Sequence, residues 1–412
     1  MRAAAFPLGA AVTLAQLDAD PHPVLARLRE HEPVSWLPAL GGWLLTRRDL
    51  ALAVMRDPET FTVEDPRFST GRVIGPSMLT LEGAEHKRHR DPFARPFRLD
   101  AVRERFTAPV QAETDRLIDA IAPAGAGELR RELAGPLATA AVTHALGLER
   151  AGTAEVLAWY DAIVASVTEI TAGRPPTEAG RRGFEDLRAA IEPVLARGPG
   201  TSLVAAAAAG GGGLRRDEVV SNAAVLLFGG IETTEGMIAN ALAYLLGHRD
   251  QLAAVRSEPE LLANAIEESL RLEPAAAVID RYATRAVELG GAAIGERELV
   301  VVSIAGANRD PATFDDPDRF DVRRSNAKLH AAFAAGPHVC VGMHLARLEA
   351  QTAVARVLER LPDLRLENGH MPAARGLVFR KPDALRVRWT PRAAVGQPGG
   401  GGAGADGIRS RA

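Results

Sequence analysis

The spacing of apolar positions along the chain predicts a mainly helical protein with a small β part. Short helical patterns over residues 24–30 and 50–56 flank an apolar stretch, 34–45, in which Gly41 and Gly42 predict a hairpin turn. Helical periodicity fills 85–146, broken by the proline-containing stretch 91–96, and resumes over 153–170. The Gly/Ala-rich segment 198–213 predicts a flexible surface loop that carries no chemistry. No proline stands between Pro199 and Pro259, and 214–246 reads as one helix of roughly 48 Å at 1.5 Å per residue. Its centre, 223–231, is apolar on every side, which predicts a helix crossing the interior. A second helix over 261–272 ends before Pro274. Alternation over 281–302, with Gly290, Gly291 and Gly295 as turn points, predicts short strands. A proline-punctuated loop, 308–322, leads towards Cys340. A helix over 342–360, a strand pair over 376–389 and a disordered Gly-rich tail complete the chain.

The expected architecture is therefore mainly α (α+β): a large helical region around a long central helix, with β-rich parts near 34–63, 281–303 and 376–389. One domain over 1–392 and a tail over 393–412 are expected. Composition agrees, because 47% hydrophobic residues with only 5% aromatics means apolar mass supplied mostly by Ala, Leu and Val. With 49 Lys+Arg against 52 Asp+Glu the net charge is −3, which excludes the strongly basic balance of a nucleic-acid binder. A single cysteine excludes a disulfide framework and suits a reducing, cytoplasmic place. The most apolar stretch, 222–246, carries Glu232 and Glu235, and Pro7 and Gly9 break the apolar N-terminus, so neither membrane span nor signal peptide is expected. No phosphate loop and no strand-linked GxGxxG is present.

The strongest chemical signal is Phe333-Ala334-Ala335-Gly336-Pro337-His338-Val339-Cys340-Val341-Gly342, followed by Leu345-Ala346-Arg347. A lone cysteine is usually a small buried hydrophobe. Here two glycines and a proline hold it in a tight loop opening a helix, whose free N–H groups favour a thiolate. Zinc is the rival use, through His338, Cys340 and His344, but it lacks a second cysteine and a recognisable spacing. The window resembles the haem-binding loop of the cytochrome P450 family, soluble bacterial haem-thiolate monooxygenases. The family has Gly where this chain has Ala334, a change that costs little if φ is negative there.

A second signal, Gly229-Gly230-Ile231-Glu232-Thr233-Thr234, lies mid-helix, where two glycines cost about 1 kcal/mol each against Ala. Room beside the helix is the compensating gain. A kinked helix with a capped hydroxyl is the plain alternative. The resemblance maps the family's oxygen-binding helix here, with Glu232 and Thr233 as its acid–alcohol pair and Gly230 beside the cofactor.

Glu268 and Arg271, three apart, share a helix face. The same spacing at Glu85/Arg88, Glu113/Arg116 and Glu128/Arg131 is expected to give solvated surface pairs. The resemblance distinguishes Glu268 and Arg271 as a buried network completed by Arg319 of Pro317-Asp318-Arg319-Phe320. It also implies haem contacts from His86, Arg90, Arg281, His338, Phe333 and Gly336, with Cys340 on the iron. Pocket walls are implied at 72–78, 167–170, 276–279 and 377–378, with Leu227, Phe228, Val278, Ile279 and Leu377 foremost.

As a whole, the resemblance implies a haem b monooxygenase inserting one atom of O2 into a small organic substrate, in secondary or natural-product metabolism. Electrons would come from a ferredoxin and its reductase, because the chain has no nicotinamide or flavin fingerprint. The donor would dock on a basic face formed by Lys87, Arg88, Arg98 and Arg347. No nucleic-acid or membrane partner is expected. A non-oxidising haem scaffold and a peroxide-driven peroxygenase are the alternatives, and the Glu232–Thr233 pair argues against both.

Overall fold

The structure, a computed structural model, describes residues 2–171, 174–198, 202–209 and 213–391. The expected tail, 393–412, lies outside the described residues. The central helix runs Arg216–Gly247, and its middle is buried almost all round, with Ala223, Ala224, Leu227 and Ile231 between 0 and 2% exposed. Helices Gly135–Leu146, Leu261–Leu272 and Met343–Arg360 pack along it. An apolar cylinder of this length holds together only when neighbours remove every side from water. Thr153–Thr171 and Glu178–Leu195 form an antiparallel helix pair beside it.

A five-stranded sheet, in the order Val34–Leu37, Gly42–Leu45, Leu299–Ser303, Val278–Ala283 and Phe61–Thr62, forms the β part. Its register pairs Leu44 with Val301 and Val301 with Asp280, while Trp43 pairs with Val300 and Val300 with Arg281. Side chains alternate across a sheet, so Leu44, Val301 and Asp280 share one face and Trp43, Val300 and Arg281 the other. Trp43 and Val300 pack with Val54 and Met55, beside Ala334 and Ala335 of the cysteine loop. Leu44 and Val301 pack instead with Leu17 and Leu25 of the N-terminal helices.

Two sequence expectations are corrected. Within the supposed loop 198–213, Leu203–Ala209 is a helix whose Leu203, Val204 and Ala207 are buried; residues 199–201 and 210–212 lie outside the described residues. A run of alanines has the highest helix propensity, and here it meets apolar neighbours. The stretch 376–389 is not a strand pair with itself. Lys381–Pro382 pairs back to Ala374–Arg375, and Arg386–Arg388 pairs with Ala126–Glu128 and Arg365–Leu366. Among the described residues no helix is long and apolar enough to cross a membrane.

Candidate active site

The cysteine loop is fixed from both ends. The Cys340 N–H donates to Phe333 O (2.8 Å), and an Arg90 guanidinium N–H donates to Val339 O. Gly336 has φ of +73°, and a Cβ there would lie 2.2 Å from Met55 O, so both its conformation and its contact require glycine. Ala334 has φ of +59°, so the methyl that departs from the family pattern sits in the left-handed region and costs about 1–2 kcal/mol. The Cys340 side chain has accessible surface, yet protein surrounds it closely enough to desolvate it. Burial pushes its thiol up, opposed by the Gly342 N–H and the charges of Arg90 and Arg347. Among the described residues no three His, Cys, Asp or Glu side chains are grouped to hold a metal ion, which removes the zinc alternative.

The central helix opens beside Gly229. This residue is exposed although Leu227 and Ile231 beside it are buried, and a Cβ at Gly229 would meet nothing within 4 Å. An accessible glycine in an otherwise buried helix marks internal space. Gly230, the residue expected beside the cofactor, backs instead onto Val142, 3.2 Å from where its Cβ would stand. One residue turns the helix by about 100°, so the opening belongs to Gly229. Thr233, four residues on, shares that face and donates its hydroxyl to Gly229 O.

Glu232 points elsewhere. The Tyr160 hydroxyl donates to its Oε2 (2.6 Å), and Lys381 Nζ lies 2.7 Å from its Oε1. Lys381 also pairs with Glu235, which Arg130 reaches at 2.9 Å. Burial pushes the Glu232 carboxyl up, but the bonds from Lys381 and Tyr160 and the charges of Lys381 and Arg130 outweigh it and hold it below its usual value. Neither partner was read from the sequence. Tyr160 carried a hint, as one of three tyrosines in a chain poor in aromatics, set in an apolar helix.

The predicted haem-edge residues do converge. His338 is hydrogen-bonded to Glu82 (2.9 Å), and the His86 and His338 rings lie 4.3 Å apart. Arg281, 5% exposed, spends one bond on Asp280 O and feels the charge of Glu82. Arg90 is half-buried and its charge reaches His86. Burial, with the charges of His338 and Arg90, pushes the His86 ring down to about 4, and its Nε2 is buried without a partner. Arg281 feels the charges of Glu82 and Asp280 and Arg90 that of Asp91, but each guanidinium bonds only a backbone carbonyl, which leaves two cations without a carboxylate bond and an unused ring nitrogen inside the protein. The two carboxylates of a haem fit that imbalance.

Glu268 and Arg271 are both fully buried and joined by two bonds, 2.7 and 2.8 Å. Arg319 is a correction: its side chain is exposed, and it supplies only a backbone carbonyl to Arg271 (3.2 Å). The second guanidinium on Glu268 belongs to Arg324 (2.9 Å). Of the doublet Arg323-Arg324, the first pairs outside with Glu258 and the second turns in. Among the supposed surface pairs, Glu113/Arg116 is exposed, but Arg88 also reaches the buried Glu218 at 2.8 Å.

The expected pocket residues are divided. Leu227 lies in the apolar core, and Val278 and Leu377 line a separate cavity behind the sheet. Ile279 packs on the sheet face of Trp43. Phe228 meets Phe379, a residue to which the sequence drew no attention, edge to face at 5.8 Å. Phe333 carries the Arg347 guanidinium over its ring at 4.5 Å, while Arg347 is held by Glu267 through bonds of 2.7 and 2.8 Å.

Comparison with known proteins gives a consistent result. Residues 201–372 match the family model described as Cytochrome P450. The chain is 35% identical over 395 residues to the cytochrome P450 monooxygenase PikC of Streptomyces venezuelae, covering 90% of this chain and 91% of that protein. It is 34% identical to nocardicin C N-oxygenase of Nocardia uniformis subsp. tsuyamanensis, covering 93% and 98% of the two chains. The crystal structure of CalO2 superposes with a TM-score of 0.83 at 31% identity, covering 92% of this chain and 99% of that one.

Proposed function

The chain belongs to the cytochrome P450 family, and from that premise we propose that Cys340 is the thiolate that holds its haem iron. The protein is an oxygen-incorporating oxidoreductase with haem b as cofactor and O2 as co-substrate. The observation that carries the Cys340 reading is the chain's one thiol, with accessible surface yet desolvated by the protein around it, on a loop seated against Met55. Bound haem supplies activation of O2 and insertion of one oxygen atom, with thiolate donation favouring O–O cleavage. Arg90 and Arg281 take the haem carboxylates, with His86 and His338 beside them. The opening at Gly229 would leave space for O2 and substrate beside the bound haem.

Glu232 and Thr233 handle protons. Tyr160 and Lys381 hold the Glu232 carboxylate at the protein side of the helix, and Thr233 stands one residue on, beside the Gly229 opening. Its hydroxyl donates to Gly229 O at rest. To relay, it would turn into the opening, give up its own proton there and take a replacement on a lone pair from water on the Glu232 side, where Lys381 and Tyr160 carry the protons and Glu232 is the acceptor. Thr233→Ala is expected to leave haem content and substrate affinity near wild type while diverting most electrons to peroxide. Glu232→Gln is expected to slow product formation by about 10²-fold. Full product per electron consumed in both variants would remove the relay.

The substrate is a small organic molecule of natural-product type. Phe228 and Phe379 offer it an aromatic wall, and one relative is named for oxygenation of nocardicin C. Electrons come from a ferredoxin and its reductase in the cytoplasm, and the ion pairs favour a docking face centred on Arg98 rather than on all four of the expected charges. Lys87 pairs with Asp91, Arg88 with Glu85 and Glu218, and Arg347 with Glu267, so three of the four charges are already answered. Arg98 is exposed and joins Arg95 and Arg103, whose charge reaches His344 beside the cysteine loop, and Arg56, which touches Gly336. The first electron-transfer rate should fall with salt over the range where the Debye length shrinks from about 30 to 8 Å. Arg98→Glu with Arg103→Glu should lower it about tenfold at low salt. A rate indifferent to both would place the donor on another face.

A further inference from the structure

A cavity of about 160 Å³ lies behind the five-stranded sheet. Its walls are Leu17 and Leu25 of the N-terminal helices, Leu40 of the first hairpin, and Leu44 and Val301 of the sheet. These belong to the sheet face opposite Trp43, Val300 and Arg281, so the cavity is separated by the sheet from the cysteine loop and the haem-edge cluster.

Two charged side chains reach this apolar space, Arg380 and Asp280. Arg380 is fully spent: it donates to Glu273 (2.7 Å) and to the carbonyls of Ala374 (2.7 Å), Gly376 and Asp18 (2.9 Å each), while His22 answers the other oxygen of Glu273 at 3.0 Å. The Asp280 carboxyl has neither hydrogen bond nor ion pair among the described residues. Its neighbour Arg281 reaches only the Asp280 backbone oxygen, and the guanidinium belongs to the other face of the sheet. Burial pushes the Asp280 carboxyl up, and the Arg281 charge only partly opposes this. An acidic group left without a protein partner on an apolar wall is complemented by an apolar body carrying a cation.

We infer that this cavity is a binding site, separate from the haem pocket, for a small apolar amine whose ammonium pairs with Asp280. A dry cavity of about 150 Å³ accepts a benzene ring, so the ligand size is about that of a phenylalkylamine. Leu377 lines the cavity, and the same loop continues to Phe379, which packs on Phe228 of the central helix. An occupant therefore touches the loop that forms the aromatic wall on the haem side.

The test uses holoenzyme with saturating imidazole, which blocks amine binding at the iron. Calorimetry compares 2-phenylethylamine with its neutral isostere, n-propylbenzene, and methyl NMR locates the bound molecule. The amine is expected to bind at least tenfold more tightly and to shift the methyl signals of Leu17 and Leu25. Asp280→Asn, nearly isosteric, should abolish the amine preference while leaving propylbenzene affinity and the carbon-monoxide spectrum unchanged. Equal affinity of the two probes, an unchanged preference in Asp280→Asn, or amine shifts that spare Leu17 and Leu25 would each overturn the assignment.

Discussion

Glu268→Ala is expected to yield protein that is mostly apo or aggregated. Glu268 and Arg271 are completely buried, and the carboxylate also accepts from Arg324 Nε (2.9 Å) and the Asp321 N–H (3.2 Å). Arg271 continues to the carbonyls of Asn308 (3.0 Å) and Pro317 (2.7 Å), tying the helix Leu261–Leu272 to the loop that leads to Cys340. Removing the carboxylate releases Arg324 from the network and leaves the fully buried Arg271 guanidinium without its counter-charge, a loss of about 3–5 kcal/mol. That is a large part of the ~5–15 kcal/mol by which a folded protein exceeds its unfolded chain. Arg271→Ala should act in the same direction, because it leaves Glu268 with Arg324 and the Asp321 N–H alone and frees the carbonyls of Asn308 and Pro317. Glu113→Ala removes the half-buried partner of the exposed Arg116, and surface pairs contribute about 0–1 kcal/mol, so it should be nearly silent. Haem content per purified chain and the thermal midpoint decide the matter. Equal values in all three variants would show that the network does not hold the loop.

The second large effect is spectroscopic. The wild-type protein is expected to carry one b-type haem per chain, and its reduced carbon-monoxide adduct should show the red-shifted absorption of thiolate ligation. Cys340→His keeps a ligand of similar reach on the same loop, since the Phe333 carbonyl, Arg90 and Gly336 fix the backbone rather than the sulfur. Haem should still bind, the red shift should vanish, and oxygenation should fall to background because the thiolate's electron donation is lost. A Cys340→His protein that retained the thiolate spectrum would overturn the assignment of the ligand.

Much of this arrangement was legible in the chain itself, for local reasons. The central helix and the helix Leu261–Leu272 are visible because periodicity and proline placement act over a few turns, and the observed bounds differ from those expected by two residues or fewer. The cysteine loop is visible because its glycine is required by backbone geometry, as Gly336 shows. The Ala334 departure was visible as well, but the sign of its φ, which gives it a cost, was not.

Pairing across distance and direction was decided by the tertiary structure alone. Glu82 meets His338 across 256 positions, and Tyr160 meets Glu232 across 72. No spacing rule reaches that far, because such contacts follow from how helices and strands pack. Arg324 rather than Arg319 turns inward, and Gly229 rather than Gly230 borders the opening. In each case candidates close in sequence differ only in the direction in which the backbone carries them. The sheet register sets Arg281 and Asp280, adjacent in the chain, on opposite faces, one towards the haem-edge cluster and one into a separate cavity. Sequence by itself determined the long helices and which chemistry the cysteine loop offers, since both depend on neighbours along the chain, whereas the helix Leu203–Ala209 and the pairing of 376–389 depended on what packs against them. Which charges face each other was decided by packing, since burial and partner are properties of the folded interior.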